Sequence, residues 1–155
     1  MKKFLVIVVI LCLMLSISAC QTDSNKFYDF LNGIVQNAGN TQITEQHDLI
    51  GNRVLDKDAY TGRYNAYCEG NTGRDVIFGG GSIESKKLHV YGIIHTNTGK
   101  ATVRIRLNED IKELSVKEDG SFETHLSLNS GGNYIMMDYE DFNGEIELRS
   151  EYEID

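Results

Sequence analysis

LHVYGIIHTNTGKATVRIRL, residues 88–107, carries the pattern that decides the fold. Leu88, Val90, Gly92 and Ile94 alternate with His89, Tyr91, Ile93 and His95. After Thr98-Gly99, Ala101, Val103, Ile105 and Leu107 alternate with Thr102, Arg104 and Arg106. Successive strand residues point to opposite faces, so a period of two with one apolar set marks antiparallel strands that have one face on a core and one in solvent.

The same period extends outward from this stretch. Upstream lie Tyr64-Ala66-Cys68 and the short apolar run Asp75 to Phe78, which ends in Gly79-Gly80-Gly81. Downstream lie Leu114-Val116, then Phe122-Thr124-Leu126-Leu128, then Ile135-Met137-Tyr139, then Ile146-Leu148-Ser150-Tyr152. Thr98-Gly99, Asp119-Gly120, Gly131-Gly132-Asn133 and Asn143-Gly144 separate the runs and supply the positive φ that tight turns require. Short strands with a turn every 8–12 residues predict a sandwich or barrel. The expected fold is mainly β, an antiparallel immunoglobulin-like β-sandwich of about seven to eight strands over 60–155, preceded by one amphipathic helix. The chain has no Pro, so its edge strands must be protected by charge or bulges.

Leu88-His-Val-Tyr-Gly, Val103-Arg-Ile, Asp119-Gly-Ser-Phe122, Leu126-Ser-Leu128, Gly132-Asn-Tyr-Ile135 and Asp141-Phe-Asn-Gly144 run in an order that resembles bacterial immunoglobulin-like adhesion and accessory domains. The resemblance covers Ile83 to Tyr152 and implies a binding or spacer module rather than a catalyst. The segment Tyr64 to Gly81, with Thr72-Gly-Arg-Asp75, departs from that pattern.

The helix is expected over 27–38. Phe27, Phe30, Leu31, Ile34, Val35 and Ala38 recur at helical spacing, Ser24 or Asn25 can cap the start, and Gly39-Asn40 can end it. This stripe packs either on the protein's own core or on a partner. Its polar face lacks the Lys/Arg richness of an interfacial helix.

Residues 1–20 read MKKFLVIVVILCLMLSISAC. Lys2 and Lys3 precede a twelve-residue apolar run, Phe4 to Leu15, which suits a signal-peptide h-region and is shorter than the roughly 20 residues a membrane span needs. Ile17-Ser18-Ala19-Cys20 resembles a bacterial lipobox. The resemblance implies diacylglyceryl transfer to the Cys20 thiol and cleavage between Ala19 and Cys20, since small side chains admit the peptidase and the thiol takes the lipid. The expected organisation is 1–19 signal peptide, 20–25 lipidated tether, 26–59 helix and connecting segment, and 60–155 sandwich. The expected location is extracytoplasmic, with the membrane held through lipid at Cys20.

Loss of the leader removes Lys2 and Lys3 and takes the net charge from −8 to −10. So acidic a chain argues against nucleic acid, whose binding relies on Lys and Arg, and on an anionic membrane it would stand off its tether. Composition also excludes collagen-like, coiled-coil and wholly disordered chains. Cys12 leaves with the leader and Cys20 carries lipid, so Cys68 is left as the one thiol. No intramolecular disulfide is then available, and stability must come from a hydrophobic core.

Several constellations were candidates for chemistry. Gly79-Gly80-Gly81-Ser82 lacks the Lys-Ser/Thr pair of a phosphate-binding loop and reads as a strand end or bulge. His89 and His95 share a face, but six residues at about 3.3 Å each set them roughly 20 Å apart, too far for one metal. His125 sits on a polar face with Glu123, and no convergence of ligands is visible, so no metal or cofactor is expected. Asp138, Glu140, Asp141 and Asn143 have the oxygen density of a Ca²⁺ loop without its order, and read as a solvated turn. Arg104 and Arg106, and Glu145, Glu147, Arg149 and Glu151, read as cross-strand charge pairs or, for the second set, as an acidic face for a cationic peptide. Tyr91, Glu147 and Glu151 are the candidate binding residues, and Tyr67 beside such charges would also form a hot spot.

No G-x-S-x-G, S-x-x-K or H-E-x-x-H occurs, so an enzyme is not expected. The reading is a surface lipoprotein with a non-catalytic binding or accessory role toward an extracytoplasmic protein, peptide or cell-wall partner. Two alternatives remain: an immunity-type lipoprotein that captures a cationic antimicrobial peptide, and a cell-envelope enzyme with an unfamiliar site.

Overall fold

Six antiparallel strands account for most of the chain in the computed structural model, which describes residues 42–83 and 85–153. They are β1 (Asn52–Leu55), β2 (Gly62–Ser82), β3 (Lys86–Leu107), β4 (Asp110–Glu113), β5 (Ser121–Leu128) and β6 (Gly131–Tyr152). The sheet order is β1-β2-β6-β3-β4, with β5 also on β3. Leader, tether and helix 27–38 all lie outside the described residues.

The alternation correctly predicts an antiparallel β-sandwich, but its eight runs are not eight strands. Tyr64–Cys68 and Asp75–Phe78 are two parts of β2, the two runs of 88–107 are β3, and the last two runs are β6. Leu114-Val116 follows β4 as irregular chain. The cause lies in two of the expected turns. Thr98-Gly99 and Asn143-Gly144 do not reverse the chain. They face one another inside β3 and β6, where Thr98 pairs Asn143 and Thr96 pairs Gly144, with register shifts on either side of Thr98. A glycine that permits a positive-φ turn permits a bulge equally well, and a bulge bends the strand without ending it. β2 has matching shifts between Glu69 and Gly73.

Bent at these points, each long strand folds back, and its two halves face each other across the core. Tyr60 Oη donates to the Gly80 carbonyl at 2.6 Å, and Tyr64 Oη lies 2.5 Å from Tyr139 Oη. One layer is β1, the first part of β2, the last part of β6, the first part of β3, and β5. The other is the remainder of β2, β6 and β3, with β4. Between them lie Tyr64, Phe78, Leu88, Val90, Val103, Ile105, Phe122, Met137, Phe142 and Ile146, all buried. Cys68 is buried among them, and burial raises its thiol pKa. A further bulge between Val76 and Phe78 explains why alternation fails there: the extra residue lets both Ile77 and Phe78 face inward.

The core also holds one carboxylate. Asp75 accepts from the backbone N–H groups of Ile50 (3.0 Å) and Gly51 (3.2 Å) and from Tyr64 Oη. Burial, and then the neighbouring Tyr139 and Asp75, push the Tyr64 phenol far above its ordinary range. Residues 44–51, part of the connecting segment in the sequence reading, are tied to β2 by Asp75 and by Thr44, which exchanges bonds with Val76 at 3.1 and 2.9 Å.

Candidate functional site

Register places the chemistry on the outer face of the five-strand layer. β3 lies between β5 and β6 there, and β6 lies between β3 and β2. Four rows cross it. In the first, His89 stands between His125 on β5 and Glu151 on β6. In the second, Tyr91 stands between Glu123 and Arg149, with Arg63 next on β2. In the third, Ile93 neighbours Ser121 and Glu147, with Asn65 beyond. In the fourth, His95, Glu145 and Tyr67 run across β3, β6 and β2.

At one end of the face the rings stack. The His89 and His125 rings are 4.7 Å apart and 4° from parallel, and Tyr91 stacks on His89 at 4.5 Å. Carboxylates bracket the imidazoles: Glu123 Oε1 lies 2.7 Å from His89 Nε2, and Glu153 Oε1 lies 2.5 Å from His125 Nδ1. Glu151 Oε1 stands 3.8 Å from His89 Nδ1. Arg149 reaches Asp56 at 2.8 Å and Glu151 at 3.6 Å. An open cleft of about 590 Å³ runs beside this cluster, lined by Asp56, Lys57, His89, His125, Arg149 and Glu151 among others. On its floor, burial and then the 2.6 Å bond to Asp58 raise the Tyr152 phenol above its ordinary range.

The other end of the face is open. Tyr67 is 71% exposed. Beside it on β6, Glu145 and Glu147 are exposed and have no ionic partner among the described residues. A shallow depression of about 390 Å³ lies between Asn65, Tyr67, Glu145 and Glu147.

The three candidate binding residues therefore share one face in different surroundings. Glu147 makes no ion pair among the described residues, Glu151 is held by Arg149 and faces His89, and Tyr91 is half-buried in the ring stack. Tyr67 supplies the open aromatic surface. Alternation puts His89, Glu123 and His125 on polar faces without showing that they meet; the β3–β5 register brings His89 opposite His125, against the expectation that no ligands converge there. The acidic run 138–143 is part of β6 rather than a turn. Asp138 is bonded by Arg74 at 2.5 Å and paired with Arg104 at 3.1 Å, and the Arg74 bond is the main cause holding its carboxyl below the usual range. Arg106 lies over the Tyr134 ring at 4.3 Å.

No protein-family model matches the chain, and no curated protein is found to be similar to it. Among solved structures it is similar to a family 35 carbohydrate binding module from Clostridium thermocellum, at 16% identity over 70% of this chain and 95% of that one, with a TM-score of 0.41. The carbohydrate binding module of Cellvibrio mixtus lichenase 5A matches at 7% identity over 76% and 95%, TM-score 0.40. The pre-peptidase C-terminal domain of Bacillus anthracis collagenase matches at 13% identity over 66% and 86%, TM-score 0.38. At these scores the likeness carries neither a ligand nor a site to this chain.

Proposed function

We propose that this is a lipid-anchored, extracytoplasmic binding protein whose outer sheet face captures a cationic, partly apolar segment, such as an antimicrobial peptide. The observation that carries this reading is the open end of the face. Glu145 and Glu147 make no ion pair among the described residues, and they stand between an exposed tyrosine on one side and His95 and Ile93 on the other. An ammonium or guanidinium over a tyrosine face gains about 0.5–1 kcal/mol at an exposed site. Two carboxylates within reach of the same ligand add salt-sensitive attraction and speed encounter. The apolar side chains accept the uncharged face of an amphipathic segment. The −10 charge of the processed chain supports the same reading, because it raises the local concentration of cationic ligands. The lipobox-like Ile17-Ser18-Ala19-Cys20 supports the location.

The test uses the full-length lipoprotein in detergent and a fluorescent Lys-rich amphipathic peptide. Glu145→Gln/Glu147→Gln is expected to weaken binding about tenfold and to flatten its dependence on salt, with the melting temperature unchanged. Equal binding by native and variant protein would overturn the reading. Anchoring has a separate test in cells. Cys20→Ser is expected to move the protein from the membrane fraction to the medium or periplasm, and unchanged membrane retention would refute lipidation.

A further inference from the structure

We infer that His89, Glu123 and His125 form a binding site for a divalent transition metal of the zinc class. The three side chains each offer one ligand atom, and these atoms lie within 4.8 Å of one another. Two imidazoles and a carboxylate are a donor set suited to zinc, which takes three protein ligands and leaves a fourth position for water or an incoming group.

The surroundings fit a metal better than they fit a plain ion pair. A ligating histidine ordinarily gives its other ring nitrogen to a carboxylate, which fixes the ring and raises its basicity. His125 has that arrangement here, and His89 has a carboxylate 3.8 Å from its other nitrogen, near enough to take it up when the ring ligates. Glu153 takes His125 Nδ1 and leaves Nε2 as the ligand, while Glu151 stands on the Nδ1 side of His89 and leaves Nε2 toward Glu123. Glu123 and Glu153 stand against the two imidazoles, and Glu151, shared with Arg149, stands near His89, so the cluster is rich in carboxylate oxygen, as a site for a divalent cation requires.

The rearrangement needed is small. His89 Nε2 and Glu123 Oε1 are 2.7 Å apart. Two ligands about 2.0–2.1 Å from a tetrahedral ion stand about 3.3 Å from each other, so this pair must open by roughly half an ångström. The parallel His125 ring must turn about Cβ–Cγ to bring its nitrogen into line, which breaks its stack on His89 and requires the Glu153 side chain to follow; at 65% side-chain exposure His125 has room to do so. The backbone positions need not move, because strand pairing already sets His89 and His125 directly opposite each other. The site opens onto the cleft lined by Arg149 and Lys57, so the fourth position faces solvent.

The experiment is a Zn²⁺ titration of the chelator-stripped full-length protein in detergent against a chromogenic competitor, with Co²⁺ absorption to report geometry. One Zn²⁺ per chain and an intense tetrahedral Co²⁺ band are expected. His125→Ala and Glu123→Gln should each weaken binding about tenfold or more, with the metal-free melting temperature unchanged. A second group, Glu45, His47 and Asp48, lies on an exposed turn and is the control: His47→Ala is expected to bind as the native protein does. The inference is overturned by an absence of saturable binding, by unchanged binding in both site variants, or by loss in His47→Ala.

Discussion

Asp75→Ala is expected to cost about 3–5 kcal/mol and to lower the melting temperature more than any other single polar substitution in the core. The carboxylate is fully buried and binds three donors: the N–H groups of Ile50 and Gly51, and the Tyr64 hydroxyl. Alanine removes the acceptor, strands the two N–H groups, and leaves the Tyr64 hydroxyl only Tyr139 Oη to turn to. Each stranded buried group costs about 1–3 kcal/mol, and the total falls short of the full sum because the 50–51 turn can lift toward water. Set against a usual net stability of about 5–15 kcal/mol, that loss is a large fraction of the whole. Arg53, whose guanidinium bonds the Ile77 carbonyl at 2.9 Å, interacts with the Asp75 charge at longer range, without a direct ion pair. Tyr139→Phe removes only the outer hydroxyl of the chain and should cost about 1 kcal/mol. Because the groups act as one network, Asp75→Ala and Tyr64→Phe should not add in a double-mutant cycle. Urea melts measure all of this. A cost for Asp75→Ala within about 0.5 kcal/mol of zero would place it among inconsequential surface changes and refute the assignment.

Gly92→Ala should be nearly as damaging, about 3 kcal/mol, for a steric reason. Gly92 lies at an inward position of β3, between Tyr91 and Ile93 of the binding face. A Cβ there would sit 2.1 Å from the Glu147 carbonyl oxygen and 2.6 Å from Phe122 Cζ. The Phe122 ring from β5, directly opposite in register, occupies the space a side chain would need. A ring could shift, but the Glu147 oxygen is backbone on the neighbouring strand, so relief requires β3 and β6 to part. Overpacking of this kind costs about 1–3 kcal/mol or more. Phe122→Leu should therefore rescue Gly92→Ala only in part. Gly132→Ala is the contrast: its nearest neighbour is the Tyr134 ring at 3.1 Å, a side chain that can yield. Melting temperatures in the order native, Gly132→Ala, then Gly92→Ala test the account, and an equal effect from the two alanines would refute it. Because Gly92 holds Tyr91 and Ile93 in place, peptide and metal binding should fall with the fold in Gly92→Ala.

Period-two alternation assigns 88–95 and 103–107 to their faces; the stretch between them holds the bulge, and Thr102, placed in the outward polar set, is buried. Val90 and Val103 are inward, and His89 and Tyr91 are outward, as the pattern predicts. The inward glycine at 92 was visible too, but not the phenylalanine that fills its place. Thr98-Gly99 and Asn143-Gly144 have the composition of turns because a positive-φ residue is suited both to reversing a strand and to bending one. Only pairing with a neighbouring strand separates the two cases, and here each bulge faces the other.

By itself the sequence determined the fold class and the inward and outward sets of the regularly alternating runs, because side-chain alternation is a local property of the strand; Phe142, in an expected turn, is core because that turn is a bulge inside β6. It also carried the acidic charge and the lipobox-like leader, which are properties of composition and of a contiguous motif. Tertiary structure alone decided who meets whom. His89, His125 and Glu151 come together across three strands, and Tyr67 comes to stand by Glu145. Alternation has a period of two and names a face, but a shift of register by two residues would keep every face and change every neighbour. That register is chosen by the packing of the whole core, including the ring of Phe122 over Gly92 and the Asp75 carboxylate beneath residues 50–51, and no local stretch of the chain encodes it.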